Sequence, residues 1–202
     1  MESPIDTSEI PSTPELEVVS HSIGIATATF YKNWFPGEVQ DDSVVPEGNR
    51  TDKIRGDLAI QTLGKAKLKG FQIVVVDGGS SEEFRERVKE LGVLLHDEKE
   101  SGMSSSRRQA FREISNMEGV KVIAWIEPEK LSIVQDCLPK AALPILEGKA
   151  DIVVPKRDQE AFTTYPDYQV VYEQKANRLW NEILRKHGLL PQKADDLDVW
   201  FG

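Results

Sequence analysis

Two acids, Glu127 and Glu129, flank Pro128 directly after the apolar run Val122, Ile123, Ala124, Trp125 and Ile126. Such a pair either opens a helix or faces a ligand at the end of a strand. At a helix start negative charge gains about 0.3–1 kcal/mol, and proline is at home in the first turn. A second acid, Asp77, ends the run "FQIVVVD" and precedes Gly78 and Gly79, a composition that suits a ligand-binding turn, an Asx-turn or a helix cap. Gly102 and Ser104 to Ser106 lead into a segment with Arg107 and Arg108. A helix N-terminus is a ready anion site, although two helical arginines also make an ordinary solvated face. Lys156, Arg157 and Asp158 read as strand-end surface charge. Asp195, Asp196 and Asp198 read as loop solvation, or as one acid assisting a hydroxyl. The chemistry on offer is ionic, and it needs a scaffold that gathers these groups.

The periodicities supply one. Residues 23–31 are β-rich, and an irregular stretch of about twenty residues follows, a length usually functional or mobile in compact domains. Residues 52–69 show helical spacing in Ile54, Leu58, Ala59, Leu63 and Ala66, with Asp52 as N-cap or first-turn residue and Gly70 as stop. Strands are expected over 71–77, 93–95, 122–126 and 150–157. Helices are expected on Phe84, Val88 and Leu91, and on Ala110, Ile114 and Met117. Two more are expected on Ile133, Val134, Cys137, Leu138, Ala141 and Ile145, and on Tyr172, Ala176, Leu179 and Ile183. Alternating strands and helices with continuous apolar strands predict an α/β fold, a mainly parallel sheet covered on both faces. Ligands of such sheets sit beyond the carboxyl ends of the strands at a switch point. That edge collects Thr27 to Thr29, Asp77, Gly78, Gly79, Glu127, Glu129 and Lys156 to Asp158.

Composition narrows the partners. The chain has 202 residues, 39% hydrophobic and 29% charged, with net charge −9; an acidic chain of this kind does not suit a nucleic-acid backbone. One cysteine, Cys137, rules out an internal disulfide framework and reads as a small core residue. No apolar run reaches the roughly 18 residues of a membrane span. Residues 1–20, acidic and rich in Ser, Thr and Pro, read as a disordered tail unlike a signal peptide, so the cytoplasm is the expected compartment. His21, His96 and His187 lack metal-ligand spacing. No G-x-G-x-x-G follows the first strand, and neither a P-loop nor a G-x-S-x-G elbow is present, which argues against common dinucleotide oxidoreductases, P-loop NTPases and elbow hydrolases.

The segments "IGIATATFYKN", "FQIVVVDGGSSEEF", "ESGMSSSRRQAFREI", "VKVIAWIEPEK" and "ADIVVPKRD" occur in an order that resembles nucleotide-sugar-dependent glycosyltransferases of the GT-A fold, the large inverting family 2-like group. The resemblance covers about residues 20–160. It implies a single GT-A-like (Rossmann-like) domain over 21–202 that moves a sugar from a nucleotide diphosphate sugar to an acceptor hydroxyl. Thr27, Ala28 and Thr29 would line the nucleotide pocket, with Asp77 and Gly78 at the base or ribose. Gly102, Arg107 and Arg108 would lie near the diphosphate. Glu127 and Glu129 stand at the family's metal-binding Asp-x-Asp, each one methylene longer, and carboxylate oxygens suit Mg2+ or Mn2+. Of Asp195, Asp196 and Asp198, Asp198 is the candidate for the carboxylate that deprotonates the acceptor. The family continues past "DLDVWFG" into acceptor-binding structure, so that part is expected to be incomplete here. The alternatives are a catalytically incomplete relative that binds a nucleotide or a partner, and a nucleotidyltransferase, which the lack of a glycine- and lysine-rich loop near the first strand disfavours.

Overall fold

The computed structural model describes residues 19–38, 47–155 and 165–197. It divides into two units, Met1–Lys149 and Ala150–Gly202. The expected disordered tail falls largely on residues 1–18, outside the described residues; Val19 and Ser20 already belong to the fold, packed on the core and buried respectively.

In the first unit the apolar runs become four parallel strands, β1 (Ile23–Thr29), β2 (Gln72–Asp77), β3 (Leu94–Asp97) and β4 (Val122–Trp125). Their order is β3-β2-β1-β4. The chain steps outward from β1 to β3, then returns to the far side of β1 for β4. The reversal lies between β1 and β4, and the crevice beyond their carboxyl ends is where such a sheet takes a ligand.

Side chains of a strand alternate between faces, and the core divides accordingly. Ile23, Ile25, Ile73 and Val75 pack with Ala59, Leu63 and Ala66 of α1 (Glu47–Leu68) and with Phe84 and Val88 of α2 (Glu82–Glu90). Ala26, Val74 and Val76 meet Ala110 and Ile114 of α3 (Met103–Ser115) on the other face. At Gly24 a Cβ would lie 2.5 Å from Ile114 Cγ1, so glycine lets α3 settle on β1.

Three expectations change. The first helix begins at Glu47, so Asp52 is interior rather than a cap. Its Oδ2 accepts from Asn33 N and Nδ2 at 2.8 and 3.1 Å, pinning the loop after β1. The helix after β4 opens with a π turn, Ile133–Cys137, before α4 (Leu138–Leu146). The extra residue in that turn rotates Cys137 out to solvent, where it is exposed rather than core. Val134, Leu138 and Ala142 are buried in its place. Pro139 has no N–H for the carbonyl of Gln135, and Lys69 Nζ donates to it instead.

In the second unit the expected strand does not form over residues 150–155, and Ile152 is 79% exposed. A β-branched run is a strand only when it pairs, and among the described residues no ladder receives it; Lys156, Arg157 and Asp158 lie outside the described residues. The last expected helix is α5 (Asp167–Lys186). Its Tyr172 and Leu179 are exposed, whereas Glu173 and Asn181 are buried. Asn181 holds the following turn by bonds to both the N–H and the carbonyl of Leu197, each 2.8 Å. No helix among the described residues is long and apolar enough to cross a membrane.

Candidate functional site

At the carboxyl ends of β1, β2 and β3 the polar groups are consumed by one another. Asp77 Oδ1 accepts from Thr29 Oγ1 at 2.7 Å and from Ser80 Oγ. Its Oδ2 accepts from the N–H groups of Gly79 and Ser80 at 3.1 and 2.9 Å, and from Arg85 Nη1 at 2.7 Å. Arg85 continues to Asp97 at the end of β3, 2.6 Å away. Ser80 Oγ also accepts from Tyr31 N at 2.8 Å. The Asp77 side chain is 0% exposed. Burial alone would push its carboxyl up, but the hydrogen bonds from Ser80, Thr29 and Arg85 outweigh it and hold the group below the usual carboxylate range. The Asp-Gly-Gly-Ser stretch is therefore an Asx-type turn on a buried anion, and a ligand group reaching Asp77 must displace one of these partners.

The start of α3 is likewise filled from within. Gly102, at φ 116°, precedes the helix in a conformation that strongly favours glycine. Its N–H donates to Glu98 Oε1 at 3.0 Å, and Ser106 Oγ donates to the same oxygen. The anion at this helix N-terminus is the protein's own carboxylate.

The β1–β4 edge differs. Thr27 Oγ1 donates to the carbonyl of Ile126 at 2.8 Å and ties the exit of β4 to β1. Glu129 Oε1 accepts from Tyr31 Oη at 2.7 Å, from Arg55 Nε at 2.7 Å and from Arg55 Nη2 at 2.6 Å. Burial, then the charge of Glu129 and the bond to it, push the Tyr31 hydroxyl well above the usual phenol range, so it is a neutral donor. Glu127 Oε2 lies 3.6 Å from Lys130 Nζ. On the other side of β4 the Arg107 guanidinium sits 4.6 Å from the Trp125 ring centroid, and Phe111 stacks on that ring at 6.2 Å. Arg108 donates to Ser105 Oγ at 3.2 Å.

The residues singled out in the sequence thus fall into three groups. Thr27, Thr29 and Asp77 are buried struts, with half-buried Ala28 and Gly78 beside them. Glu127, Glu129 and Arg107 gather around the exit of β4, while Gly102 and Arg108 stand at the start of α3. Asp198 lies outside the described residues, and Asp196 pairs with Arg185 at 2.7 Å. As a seat for a divalent cation the two glutamates fit poorly: no third His, Cys, Asp or Glu joins them among the described residues, and Glu129 Oε1 is already taken by Tyr31 and Arg55. Among the described residues no group of three or more His, Cys, Asp or Glu gathers elsewhere.

Tyr31, Arg55, Arg85 and Glu98 escaped the sequence reading. Tyr31 and Arg55 reach Glu129 across 98 and 74 positions, beyond any local pattern. The eight-residue step from Asp77 to Arg85 along a strand–turn–helix was the one available signal. A depression lined by His21, Gly70, Leu94 and Met117 lies at the amino ends of β2 and β3, away from these acids and cations. Comparison of the chain with protein-family profiles, with characterised proteins and with solved structures gave no match.

Proposed function

We propose that this chain binds a nucleotide diphosphate sugar at the β1–β4 crevice and transfers its glycosyl group to an acceptor hydroxyl, as a GT-A-like glycosyltransferase. The observation that carries the reading is the reversal of a parallel sheet between β1 and β4, with Tyr31, Arg55, Glu127 and Glu129 placed at that exit. In the reaction an acceptor oxygen bonds to the anomeric carbon, the bond from that carbon to the diphosphate oxygen breaks, and the acceptor proton passes to a carboxylate base. Asp198, the candidate for that base in the sequence, lies outside the described residues.

Within this reading Thr29, Asp77 and Arg85 hold the turn after β2 in shape, and a buried charge network of this kind positions neighbouring backbone. Arg107 on Trp125 and Arg55 on Glu129 flank the crevice with positive charge suited to a diphosphate. With Oε1 of Glu129 held by Tyr31 and Arg55, the expected Mg2+ or Mn2+ would find only Oε2 there, and no step is assigned to a metal. A second reading, a relative that binds without turnover, is favoured by the internal consumption of Asp77, Glu98 and Glu129.

Thermal denaturation of the chain with a panel of nucleotide diphosphate sugars, with and without Mn2+, tests the proposal. One donor at a hundred times its Kd should stabilise the fold by about 2.7 kcal/mol. Release of the matching nucleoside diphosphate on adding acceptors then separates turnover from binding alone. No stabilisation by any donor would sink the glycosyltransferase reading and the nucleotide-binding form of the second, leaving only a relative that binds a partner.

A further inference from the structure

The cation at the β1–β4 crevice is a side chain. We infer that Arg55 receives the oxyanion of the ligand there, so that diphosphate binding is metal-independent, with Glu129 acting as the group that positions Arg55. The ligand class is a phosphate or diphosphate oxyanion; its being part of a sugar nucleotide rests on the function proposed above, whereas the arginine's part in anion binding does not.

The geometry is that of a cation anchored on one edge and open on the other. Arg55 spends Nε and one N–H of Nη2 on Glu129 Oε1. A guanidinium has five N–H donors in a planar fork, so three remain: one on Nη1 and one on Nη2 along the end edge, and a second on Nη1 turned toward Cδ. Its side chain is 55% exposed, against 12% for Glu129. That open fork matches the spacing of phosphate oxygens. The frame behind it is rigid. Tyr31, 1% exposed, donates to the same Glu129 oxygen and lies with its ring 5.7 Å from the guanidinium carbon. The Tyr31 ring packs edge-on to Phe84 at 4.9 Å, and its N–H is bonded to Ser80. At Gly56, next to Arg55, a Cβ would lie 2.3 Å from Trp34 Cδ1, so α1 is seated closely on that indole. An arginine ordered before the ligand arrives loses less conformational freedom on binding it.

Glu129 cannot serve a metal and hold this arginine with the same oxygen. Three donors already converge on Oε1, and withdrawing Arg55 would leave a mostly buried carboxylate without its counter-charge, a costly state. The length of the Glu129 side chain lets it reach back to Tyr31 and Arg55.

The test uses the full chain and inorganic pyrophosphate, titrated by calorimetry in EDTA and again with Mn2+. Wild type should bind pyrophosphate in EDTA, and Arg55→Met should weaken it at least about tenfold. Because Arg55→Met alone strands Glu129, the double variant Arg55→Met with Glu129→Gln removes both charges together; it should fold and still lose the affinity. Arg87→Ala, which removes a cation paired with Glu90 on α2, should bind as wild type does. The inference is overturned if wild type fails to bind pyrophosphate in EDTA, or if the folded double variant binds within about twofold of wild type. Repeating the titration with a nucleotide sugar separates the two proposals. Donor binding that requires Mn2+ and ignores Arg55 sinks this inference and keeps the glycosyltransferase reading. Pyrophosphate binding through Arg55, with no nucleotide sugar bound, keeps the inference and sinks that reading.

Discussion

The two ends of β1's neighbourhood use the same residue types for opposite purposes. On the β2 side, Asp77 is wholly buried, takes bonds at both oxygens and shares Arg85 with Asp97. On the β4 side, Glu129 directs three donors to one oxygen while its arginine stays more than half exposed. A closed acid–arginine network spends its hydrogen bonds on holding strands together, and an open one keeps donors for something else. Exposure of the arginine, 18% for Arg85 against 55% for Arg55, is the quantity that separates them.

The comparison breaks if the closed network proves dispensable. Asp77→Ala leaves Arg85, Thr29 and Ser80 without their shared acceptor, and removing one partner of a buried pair costs about 3 kcal/mol or more. A urea melt should show that loss, and unchanged stability would refute the assignment of Asp77 as a strut. The same network gives a signature in acid. The carboxyl of Asp77 is held below its ordinary value in the fold, so its contribution is complete at neutral pH and disappears as pH falls through the folded value. Stability of wild type should decline more steeply below about pH 4 than that of Asp77→Asn; parallel declines would remove Asp77 from the acid transition.

A smaller loss is expected at the start of α3. Glu98→Ala removes the acceptor of Gly102 N and Ser106 Oγ and should cost about 1 kcal/mol, as for loss of a helix N-cap, read from the same melts. The smallest change belongs to the open edge. Exchanging Arg55 and Glu129 together for Met and Gln should move stability by less than about 1 kcal/mol, because a part-exposed ion pair replaced as a unit is close to neutral. A large loss there would make the β1–β4 pair a strut like its counterpart.

How much of this was legible in the sequence follows from the range of the interactions. β1, β2, α2 and α3 were readable because continuous apolar runs and four-residue spacing are local, and the parallel sheet followed from their alternation. The turn after Asp77 was readable in part, since Asp-Gly-Gly-Ser announces an Asx-turn but not the arginine eight positions on. The π turn was hidden because Ile133, Cys137 and Ala141 keep an α-like spacing that one extra residue in the turn cancels. Residues 150–155 carry a strand's composition without a partner, and pairing is not a local property. Glu127 and Glu129 were readable as acids at the end of β4, and Lys130, which faces Glu127, is local; the partners of Glu129, Tyr31 and Arg55, come from the segment after β1 and from α1.

The strand order also has a kinetic side. β1 meets β2 across a separation of 48 positions and β4 across 99. Each doubling of a closing loop costs about 0.6 kcal/mol of chain entropy, so β1–β4 pairing carries roughly that handicap against β1–β2. During synthesis the first three strands are complete before β4 exists, and the sheet can begin to assemble around Asp77 while the Tyr31–Glu129 contact has no partner to make. Pulse-labelled hydrogen exchange during refolding should accordingly protect amides of β2 before those of β4; the reverse order would place the nucleus at the crevice. On that order the crevice is the last stretch of the sheet to close, and the ligand proposed for it would meet a unit already native.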